Sequence, residues 1–245
     1  MHSPTLFYIV RMVMYDDNAY YAFPRIEQQR KALLHSTATI RQHDYGTGAH
    51  ADSGSATTVR RVAYIARTHL ESPKIAQLLY RLVNHLTTTQ RRPLIIVELG
   101  TSLGITTAYL AAPSVKNNVQ TYEGAEEVLE VAEQVWRTLK LTNIEPILGN
   151  IDQTLPKHCP KQIDLAYIDA NHTYEATVRY FRQLLPHIGS HAIVVVDDIH
   201  HSPEMERAWH EIQTVKQVTS TIDCFHTGLV FFNPHYIRKH YKMRI

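Results

Sequence analysis

The segment "LIIVELGTSLGITTAYLA", Leu94–Ala111, carries the clearest fold signal in this chain of 245 residues. It opens with a short continuous apolar run, which is typical of a strand buried on both faces of a parallel sheet. Gly100 and Gly104 then flank a tight turn, and the residues after them have the composition of a helix. A strand, a glycine turn and a helix in direct succession predict the first unit of a parallel α/β sheet.

Short apolar runs and helical segments keep alternating from here to the end of the chain. The later runs are "VQTYEG", "EPILGN", "IDLAYIDA", "HAIVVVDD" and "STIDCFHTGLVFFNP". The last of these holds two strands that lie too close together for a helix between them, so they should pair as an antiparallel hairpin. Residues 93–245 therefore predict a doubly wound, Rossmann-like α/β domain with a seven-stranded, mostly parallel sheet and an antiparallel C-terminal hairpin.

Residues 1–92 lack this alternation of short apolar runs and helical segments, and their pattern predicts a mostly helical segment before the sheet. Helical patterns run from residue 23 to about residue 41, from 59 to 69, and onward from Ser72-Pro73, where Ser can cap a helix that begins with Pro. Between them, "HDYGTGAHADSGSATT" has almost no apolar content, which predicts a mobile loop over residues 42–58. We expect this segment to cap the sheet and contact a substrate or a second copy of the chain, with the loop able to close over the site.

Net charge, hydropathy and cysteine content indicate which partners and which cell compartment to expect. A net charge of +2 gives no global electrostatic reason to expect nucleic acid or an anionic membrane as a partner. The N-terminal stretch "TLFYIVRMVMY" is interrupted by Arg11 and is far shorter than the roughly 20 apolar residues that span a bilayer. The 2 cysteines have neither disulfide nor metal-ligand spacing. We therefore expect a soluble cytoplasmic protein without a membrane partner, for which a nucleic-acid partner is not favoured.

The ends of the predicted strands carry the chemistry, because ligands of open α/β sheets bind beyond the carboxyl ends of the strands. Glu123 ends the second strand, where an acid can accept hydrogen bonds from both hydroxyls of a ribose. Such an acid suits a nicotinamide dinucleotide as well as S-adenosylmethionine. A pyrophosphate favours a middle glycine where this chain has Ser102, so a cofactor without phosphates fits better and a nicotinamide dehydrogenase is the minor alternative. A plain turn at Gly100 and Gly104, with Glu123 merely solvated, is the other alternative.

Three carboxylates follow the ends of two later strands. Asp169 follows "IDLAYI", and Asp197 and Asp198 follow "HAIVVV". If these strands are neighbours about 4.8 Å apart, the three acids meet at one edge of the sheet and cannot all stay ionised without a partner. A divalent cation such as Mg²⁺ would be that partner, provided that the chain turns at Asp198 so that both adjacent acids face the site.

His172 comes three residues after Asp169, at the expected N-terminus of a helix with Glu175 in its first turn. A helix dipole disfavours imidazolium, so the ring would stay neutral and able to take a proton unless nearby carboxylates outweigh the dipole. His172 is therefore a candidate general base, with a purely structural hydrogen-bonding role as the alternative. His200 and His201 follow the second acid pair as further ligands, as substrate contacts or, as we favour, as surface residues.

Taken together, the motifs resemble those of one known family. "VELGTSLGITTAYLA", "VQTYEG", "LGNIDQTLP", "IDLAYIDANH" and "IVVVDDIHH", in this order and spacing, are similar to class I S-adenosylmethionine-dependent methyltransferases. The closest likeness is to cation-dependent O-methyltransferases of the catechol O-methyltransferase type and to small-molecule methyltransferases of antibiotic biosynthesis. The resemblance covers about Leu94 to Pro234 and implies a divalent-cation-assisted transfer of a methyl group from S-adenosylmethionine to a hydroxyl of a small molecule.

The resemblance also implies roles for individual residues. Those that it places on S-adenosylmethionine are Glu98, Gly100, Thr101, Ser102, Gly104, Thr106, Glu123, Asn150, Ile151, Asp152 and Asp169. The implied Mg²⁺ ligands are Asp169, Asp197 and Asp198, and the implied catalytic residues are Asp169 and His172. His172 stands where the catechol enzyme has its catalytic lysine, which leaves the identity of the base open. Nothing carries over to the residues before Leu94.

Two further interpretations stay open. The tail "NPHYIRKHYKMRI" alternates tyrosines with basic residues. Basic side chains can bind the phosphates of RNA and tyrosines can stack on its bases, so an RNA methyltransferase is one alternative. A non-catalytic S-adenosylmethionine-binding protein that keeps the fold without turnover is the other. The sequence does not name the methyl acceptor, and the tyrosine-rich helices before the sheet could form a homodimer contact.

Overall fold

The computed structural model describes residues 4–43 and 57–244, with the side chains of residues 6–41 and 58–244. The helices are α1 (Pro4–Ile9), continued by a π-helical turn (Val10–Met14), α2 (Ala22–Leu34), α3 (Val62–Thr68), α4 (Pro73–Gln90), α5 (Ile105–Ala111), α6 (Glu126–Leu139), α7 (Ile151–His158), α8 (Tyr174–Leu184), followed by a 3-10 turn (Leu185–His187), and α9 (Pro203–Thr214). The strands are β1 (Thr39–His43), β2 (Thr57–Arg61), β3 (Ile95–Leu99), β4 (Asn118–Glu123), β5 (Ile144–Leu148), β6 (Ile163–Ile168), β7 (Ile188–Val196), β8 (Ser220–Asp223), β9 (Gly228–Phe231) and β10 (Lys239–Lys242).

Strands β3 to β10 form one sheet in the order β10-β8-β9-β7-β6-β3-β4-β5. Strands β3 to β7 are parallel, and β9 runs antiparallel to both β7 and β8. The chain fills one half of the sheet with β3, β4 and β5 and then crosses back to place β6 beside β3. The predicted doubly wound fold with its antiparallel C-terminal hairpin is confirmed. The strand order reverses between β3 and β6, where such sheets bind ligands.

Both faces of this sheet are covered by helices, which is why its strands read as continuous apolar runs. On one face, Ile96 and Tyr167 share a core with residues of α1 and α4. On the other face, Val97 and Ile168 share a core with residues of α8 and α9. Helices α2, α3, α5 and α6 form a third apolar cluster, to which α4 also contributes. Within the described residues, no helix is long and apolar enough to cross a membrane.

The sheet has one strand more than predicted, because the basic C-terminal tail adds β10 at its edge. β10 pairs in parallel with β8, and the hydroxyl of Ser220 donates to the carbonyl of Ile237, just before β10, at 2.9 Å. The side chains of β10 are mostly exposed, and Lys242 lies 3.6 Å from the carboxylate of Asp223. An edge strand held mainly through its backbone needs no apolar alternation, so the tail shows no strand pattern in its sequence.

The N-terminal segment is less helical than predicted. The helix expected to reach residue 41 stops at the end of α2, and the one expected from residue 59 starts only with α3. The residues between them include an antiparallel pair, β1 and β2. Ile40 of β1 is buried in the cluster that includes α6, and Arg41 pairs with Glu127 of α6, so contacts with a distant helix override the local helical pattern. Most of the predicted loop at 42–58 lies outside the described residues, and the division into residues 1–92 and 93–245 stays a prediction.

Candidate functional site

Two glycines let the loop after β3 lie against its neighbours. Gly100 has φ +99°, and a Cβ there would stand 2.0 Å from the carbonyl oxygen of Asp169 at the end of β6. Gly104 has φ +75°, and a Cβ there would stand 2.6 Å from Nε1 of Trp136 in α6. Only glycine fits both requirements, so the glycine pattern serves the close packing of this loop. The carboxyl ends of β3 and β6 meet as a result, and the N–H of Asp169 donates to the carbonyl of Leu99 at 2.9 Å.

Glu123, at the end of β4, ties the glycine loop to the second strand. Its carboxylate accepts hydrogen bonds from the N–H of Ser102 at 2.9 Å and from the N–H of Ala125 at 3.0 Å. Burial raises the pKa of Glu123 although these N–H donors oppose the shift. The N–H of Gly124 is a third donor, which leaves about one of the four lone-pair sites of the carboxylate for a ligand. The acid predicted to bind a ribose is therefore held in a fixed position at the site.

A cavity of about 970 Å³ runs along the carboxyl ends of the parallel strands. The predicted site residues that line it are Gly100, Ser102, Glu123, Asn150, Ile151, Asp169, His172, Asp197 and Asp198. Its volume is at the upper end of the roughly 300–1,000 Å³ of small-molecule sites. The glycine loop and the second acid pair, far apart in the sequence, thus face one enclosure.

The other predicted cofactor residues do not line the cavity in this structure. They are Glu98, Thr101, Gly104, Thr106 and Asp152. Glu98 is completely buried in β3, where its Oε2 accepts from the hydroxyls of Thr107 at 2.5 Å and Thr121 at 2.6 Å. Burial raises the pKa of Glu98 to about 8. Asp152 forms an ion pair with Arg179 at 2.8 Å, so its contact with an adenine stays a prediction.

Two of the predicted carboxylates meet at the ends of β6 and β7. The N–H of Asp197 donates to the carbonyl of Ile168 at 2.9 Å, which aligns the two strand ends. The buried carboxyl of Asp197 accepts from the hydroxyl of Thr227 at 2.6 Å. Burial, and then the nearby acids Asp169 and Glu71, raise the pKa of Asp197 well above its ordinary value. The crowding of acids predicted for this edge is therefore present.

Asp198, the third predicted ligand, is directed towards two imidazoles. The chain turns at this residue, with φ +53°, as the metal prediction required. Its carboxylate lies 3.7 Å from Nδ1 of His172 and 3.9 Å from Nδ1 of His201. Within the part of the chain that the structure describes, no group of three or more His, Cys, Asp or Glu side chains is arranged to hold a metal ion. The predicted ligands share the cavity, and the metal itself stays a prediction.

His172 lies in the turn before α8 and faces two of the acids. It has φ +39° and precedes Thr173, whose side chain caps α8, and Glu175 stands in the first turn as predicted. Its Nε2 is 3.4 Å from Oδ1 of Asp169. Burial lowers the pKa of His172, but the hydrogen bond and charge of Asp169 and the charge of Asp198 outweigh burial and raise the pKa overall. The carboxylates thus favour the imidazolium form of His172 more than the helix dipole disfavours it.

Sequence reasoning missed two residues of the site, Glu71 and Tyr167. Glu71 lies in the turn before α4 and lines the cavity. The hydroxyl of Tyr167 is 3.3 Å from Oε2 of Glu71 and 3.2 Å from Oδ2 of Asp169. In the sequence, Tyr167 looks like one more core residue of β6, and Glu71 lies outside every motif. Neither residue therefore carries a local signal of function.

The two histidines after the second acid pair have different surroundings. His201 lines the cavity. His200 does not line it, because its ring nitrogens contact Glu206 at 3.1 Å and Asp223 at 2.9 Å. The surface interpretation therefore fits His201, whose side chain is 63% exposed although it also lines the cavity, whereas His200 is half-buried against two acids.

Comparisons with known proteins agree with this geometry. Residues 97–199 match a family model described as a methyltransferase domain. In fold, the chain is similar to the methyltransferase PaMTH1 of Podospora anserina bound to SAH (12% identity, 95% of this chain and 97% of that chain covered, TM-score 0.61). It is also similar to an O-methyltransferase from Bacillus cereus in complex with SAH (17% identity, 91% and 95% covered, TM-score 0.59).

A third structure of similar fold is the O-methyltransferase TomG of Streptomyces achromogenes, which is involved in tomaymycin synthesis and was solved with SAM (16% identity, 93% and 94% covered, TM-score 0.60). No curated protein matches the sequence. The structural likenesses extend over nearly the whole chain, including residues before Leu94, where the sequence motifs carry no resemblance.

Proposed function

We propose that this chain is a class I S-adenosylmethionine-dependent methyltransferase that transfers the donor's methyl group to a hydroxyl oxygen of a small molecule. The methyltransferase-domain model that matches residues 97–199 and the O-methyltransferases of similar fold support this proposal. One observation supports the proposal above all. The glycine loop with Glu123, which suits the donor, and the acids Asp169 and Asp197, which suit a hydroxyl, line the same cavity. A donor at one end of this enclosure and an acceptor at the other would meet inside it.

The donor would occupy the side of the cavity nearest the glycine loop. Gly100 and Ser102 would face its methionine end, and Glu123 would accept a hydrogen bond from a ribose hydroxyl. Asn150 and Ile151 would lie beside the adenine. Because a sulfonium is already a good leaving group, most of the rate would come from holding the acceptor oxygen in line with the methyl group.

His172 would take the proton that the acceptor hydroxyl loses. Its ring lines the cavity, and Asp169 and Asp198 contact its two nitrogens. Because these acids raise its pKa, the neutral ring is a stronger proton acceptor than an isolated imidazole. Methyl transfer and proton transfer would then be served by one cavity.

We further propose that a divalent cation such as Mg²⁺ assists the reaction. The acids at the ends of β6 and β7 are close enough to raise the pKa of Asp197, and none of the described residues that line the cavity is a lysine or arginine that could neutralise them. Mg²⁺ keeps several of its waters and needs few protein ligands, so Asp169 and Asp197 would hold it together with waters, and Asp198 would join them by turning away from the imidazoles of His172 and His201. When bound, such a cation lowers the pKa of a coordinated hydroxyl and orients it.

Calorimetric titration with S-adenosylmethionine, followed by transfer of a labelled methyl group to a panel of phenols, catechols and sugars, tests this proposal. We expect donor binding and label on a hydroxyl oxygen, with transfer lost in Asp169→Ala and after EDTA treatment. Glu130→Ala, on the exposed side of α6, is the control that should change neither. Failure to bind the donor would refute the reaction class, label found only in RNA would favour a nucleic-acid acceptor, and full activity in EDTA would refute the cation.

A further inference from the structure

Helix α1 and the π-helical turn that continues it are apolar on two opposite sides. One side is buried in a core that lies against the sheet, and its residues are Leu6, Ile9, Val10, Val13 and Met14. The other side is exposed, and its residues are Phe7, Tyr8, Arg11, Met12 and, just after the turn, Tyr15. The exposed fractions of Phe7 and Met12 are 55% and 57%. The exposed side of a surface helix is normally polar and charged, so this side indicates a contact with a partner.

The C-terminal tail adds positive charge beside the exposed side of α1. The hydroxyl of Tyr15 donates to the backbone carbonyl of Arg244 at 2.8 Å. Tyr241 and Met243 of the tail pack against the same core as the buried side of α1. No Asp or Glu occurs after Asp223, whereas β10 and its flanks carry Arg238, Lys239, Lys242 and Arg244. The exposed side of α1 and these tail residues therefore form one apolar and basic surface, here called the α1–β10 surface.

We propose that the α1–β10 surface docks on a lipid bilayer that contains anionic lipids. Phe7 and Met12 would enter the boundary between headgroups and acyl chains, and Arg11 and Lys239 would lie at the lipid phosphates. The described residues that line the cavity include none from this surface, so the inference does not depend on the proposed function. The net charge of +2, from which no membrane partner is expected, averages over the whole chain and does not report a local surface.

The charge of the α1–β10 surface favours a lipid surface over a second copy of the chain. A two-fold contact brings the same surface of two copies together, so the cations of one copy would face the cations of the other. The acids that follow α1 in the sequence are Asp16 and Asp17, and the carboxylate of Asp16 already accepts from the hydroxyl of Tyr20 at 2.6 Å. Asp17 alone would offset little of this repulsion. Anionic headgroups would pair with the cations, and the acyl layer below them would accept the apolar side chains.

The fold makes RNA a poorer partner for the tail than its sequence indicates. Bases of single-stranded RNA stack on exposed aromatic rings. The ring of Tyr236 instead lies 6.1 Å from the ring of Phe231, and Tyr241 packs against the core. The tyrosines of the tail are thus used within the protein. The exposed rings lie on α1 beside Met12, and a helix side that mixes aromatic and aliphatic residues suits acyl chains better than bases.

Vesicle flotation with the whole chain tests the proposal. One set of vesicles is made of phosphatidylcholine alone, and the other contains roughly one third phosphatidylserine. We expect the protein to bind the phosphatidylserine vesicles roughly tenfold or more tightly, and the binding to weaken as salt is added. No binding to either set, or equal binding to both, would overturn the proposal. A dimer in light scattering that does not bind vesicles would assign the surface to a second copy, and RNA binding without vesicle binding would assign it to RNA.

Two double variants separate the apolar part of the surface from its basic part. Phe7→Gln with Met12→Gln should weaken binding to the phosphatidylserine vesicles roughly tenfold or more, because two apolar side chains no longer enter the bilayer. Arg11→Gln with Lys239→Gln should weaken binding about fivefold for each cation lost and make it less sensitive to salt. All four side chains are exposed, so both variants should fold, which circular dichroism checks.

The matched control makes the same kinds of substitution far from the α1–β10 surface. Leu148→Gln changes an exposed residue of β5, at the edge of the sheet opposite β10. Lys157→Gln changes an exposed residue of α7, which packs through Leu155 on the face of the sheet opposite α1. The control should bind vesicles as tightly as the unchanged protein. Equal losses in the control and in the surface variants, or folded surface variants that bind as before, would overturn the proposal.

Discussion

Glu98 makes the stability of this protein depend on pH, and its replacement by glutamine measures that dependence. The side chain is fully buried, and its Oε1 has no hydrogen-bond partner among the described residues. Only the hydroxyls of Thr107 and Thr121 compensate a charge on Oε2. Burial raises the pKa of Glu98 from its usual value of 4.5 to about 8, and the charges of Asp169 and Glu123 add to the shift.

The direction of the effect follows from proton binding. In the unfolded chain Glu98 loses its proton near pH 4.5, whereas in the folded protein it loses the proton near pH 8. The folded state binds more protons between these values, so the free energy of unfolding falls as pH rises through this window and levels off above it. A tenfold change in an ionisation constant is worth about 1.4 kcal/mol, so the loss reaches about 3–5 kcal/mol above pH 8.

Glu98→Gln should remove this loss, because glutamine stays neutral and keeps an oxygen for both hydroxyls. Urea unfolding of the two proteins at pH 5, 7 and 8.5 is the assay. We expect nearly equal stability at pH 5 and a variant that is more stable by about 3–5 kcal/mol at pH 8.5. Glu130→Gln, at an exposed position of α6, should show no such trend. A difference that does not grow with pH, or a variant less stable at pH 8.5, would show that burial does not raise the pKa of Glu98 in the folded protein.

Two further predictions concern the packing around the site. Gly100→Ala should destabilise the protein by about 3 kcal/mol or more, because Gly100 has φ +99° and the added Cβ would stand 2.0 Å from the carbonyl oxygen of Asp169. The control is Gly189→Ala, where nothing lies within 4 Å of the added atom. Equal melting temperatures of the two variants would contradict the prediction. Arg92→Ala should cost about 2–4 kcal/mol in urea unfolding at neutral pH, because it leaves the carboxylate of Asp164, only 4% exposed, without its guanidinium partner. A loss below about 0.5 kcal/mol would show that this carboxylate does not need the pair.

Several site residues are predictable from the sequence because their positions follow from local patterns. The apolar run before Gly100 predicts a buried strand, and the glycines after it predict the loop that packs against β6 and α6. Glu123, Asp169 and Asp197 each follow an apolar run. Since parallel strands bring their carboxyl ends to one edge, such residues must meet there, and the cavity contains all three.

Other features depend on contacts that no local pattern reports. Glu71 reaches the cavity because Arg30 of α2 holds its backbone and Tyr167 of β6 lies beside its carboxylate. β1 forms where a helix was expected, because its side chains contact α6. β10 forms from a tail without apolar alternation, because the edge of β8 offers backbone partners. In each case the partner lies far away in the chain.

The alternation of strands and helices follows from the sequence alone, because apolar periodicity and glycine turns act over a few residues. The class of fold and the edge of the sheet where a ligand binds follow from that alternation. Which polar groups meet at that edge is visible only in the folded protein. Tertiary packing places Glu71 beside Asp197 and turns Asp198 towards His172. The physical reason is that such encounters are set by how whole helices and strands pack, which a pattern of neighbouring residues does not encode.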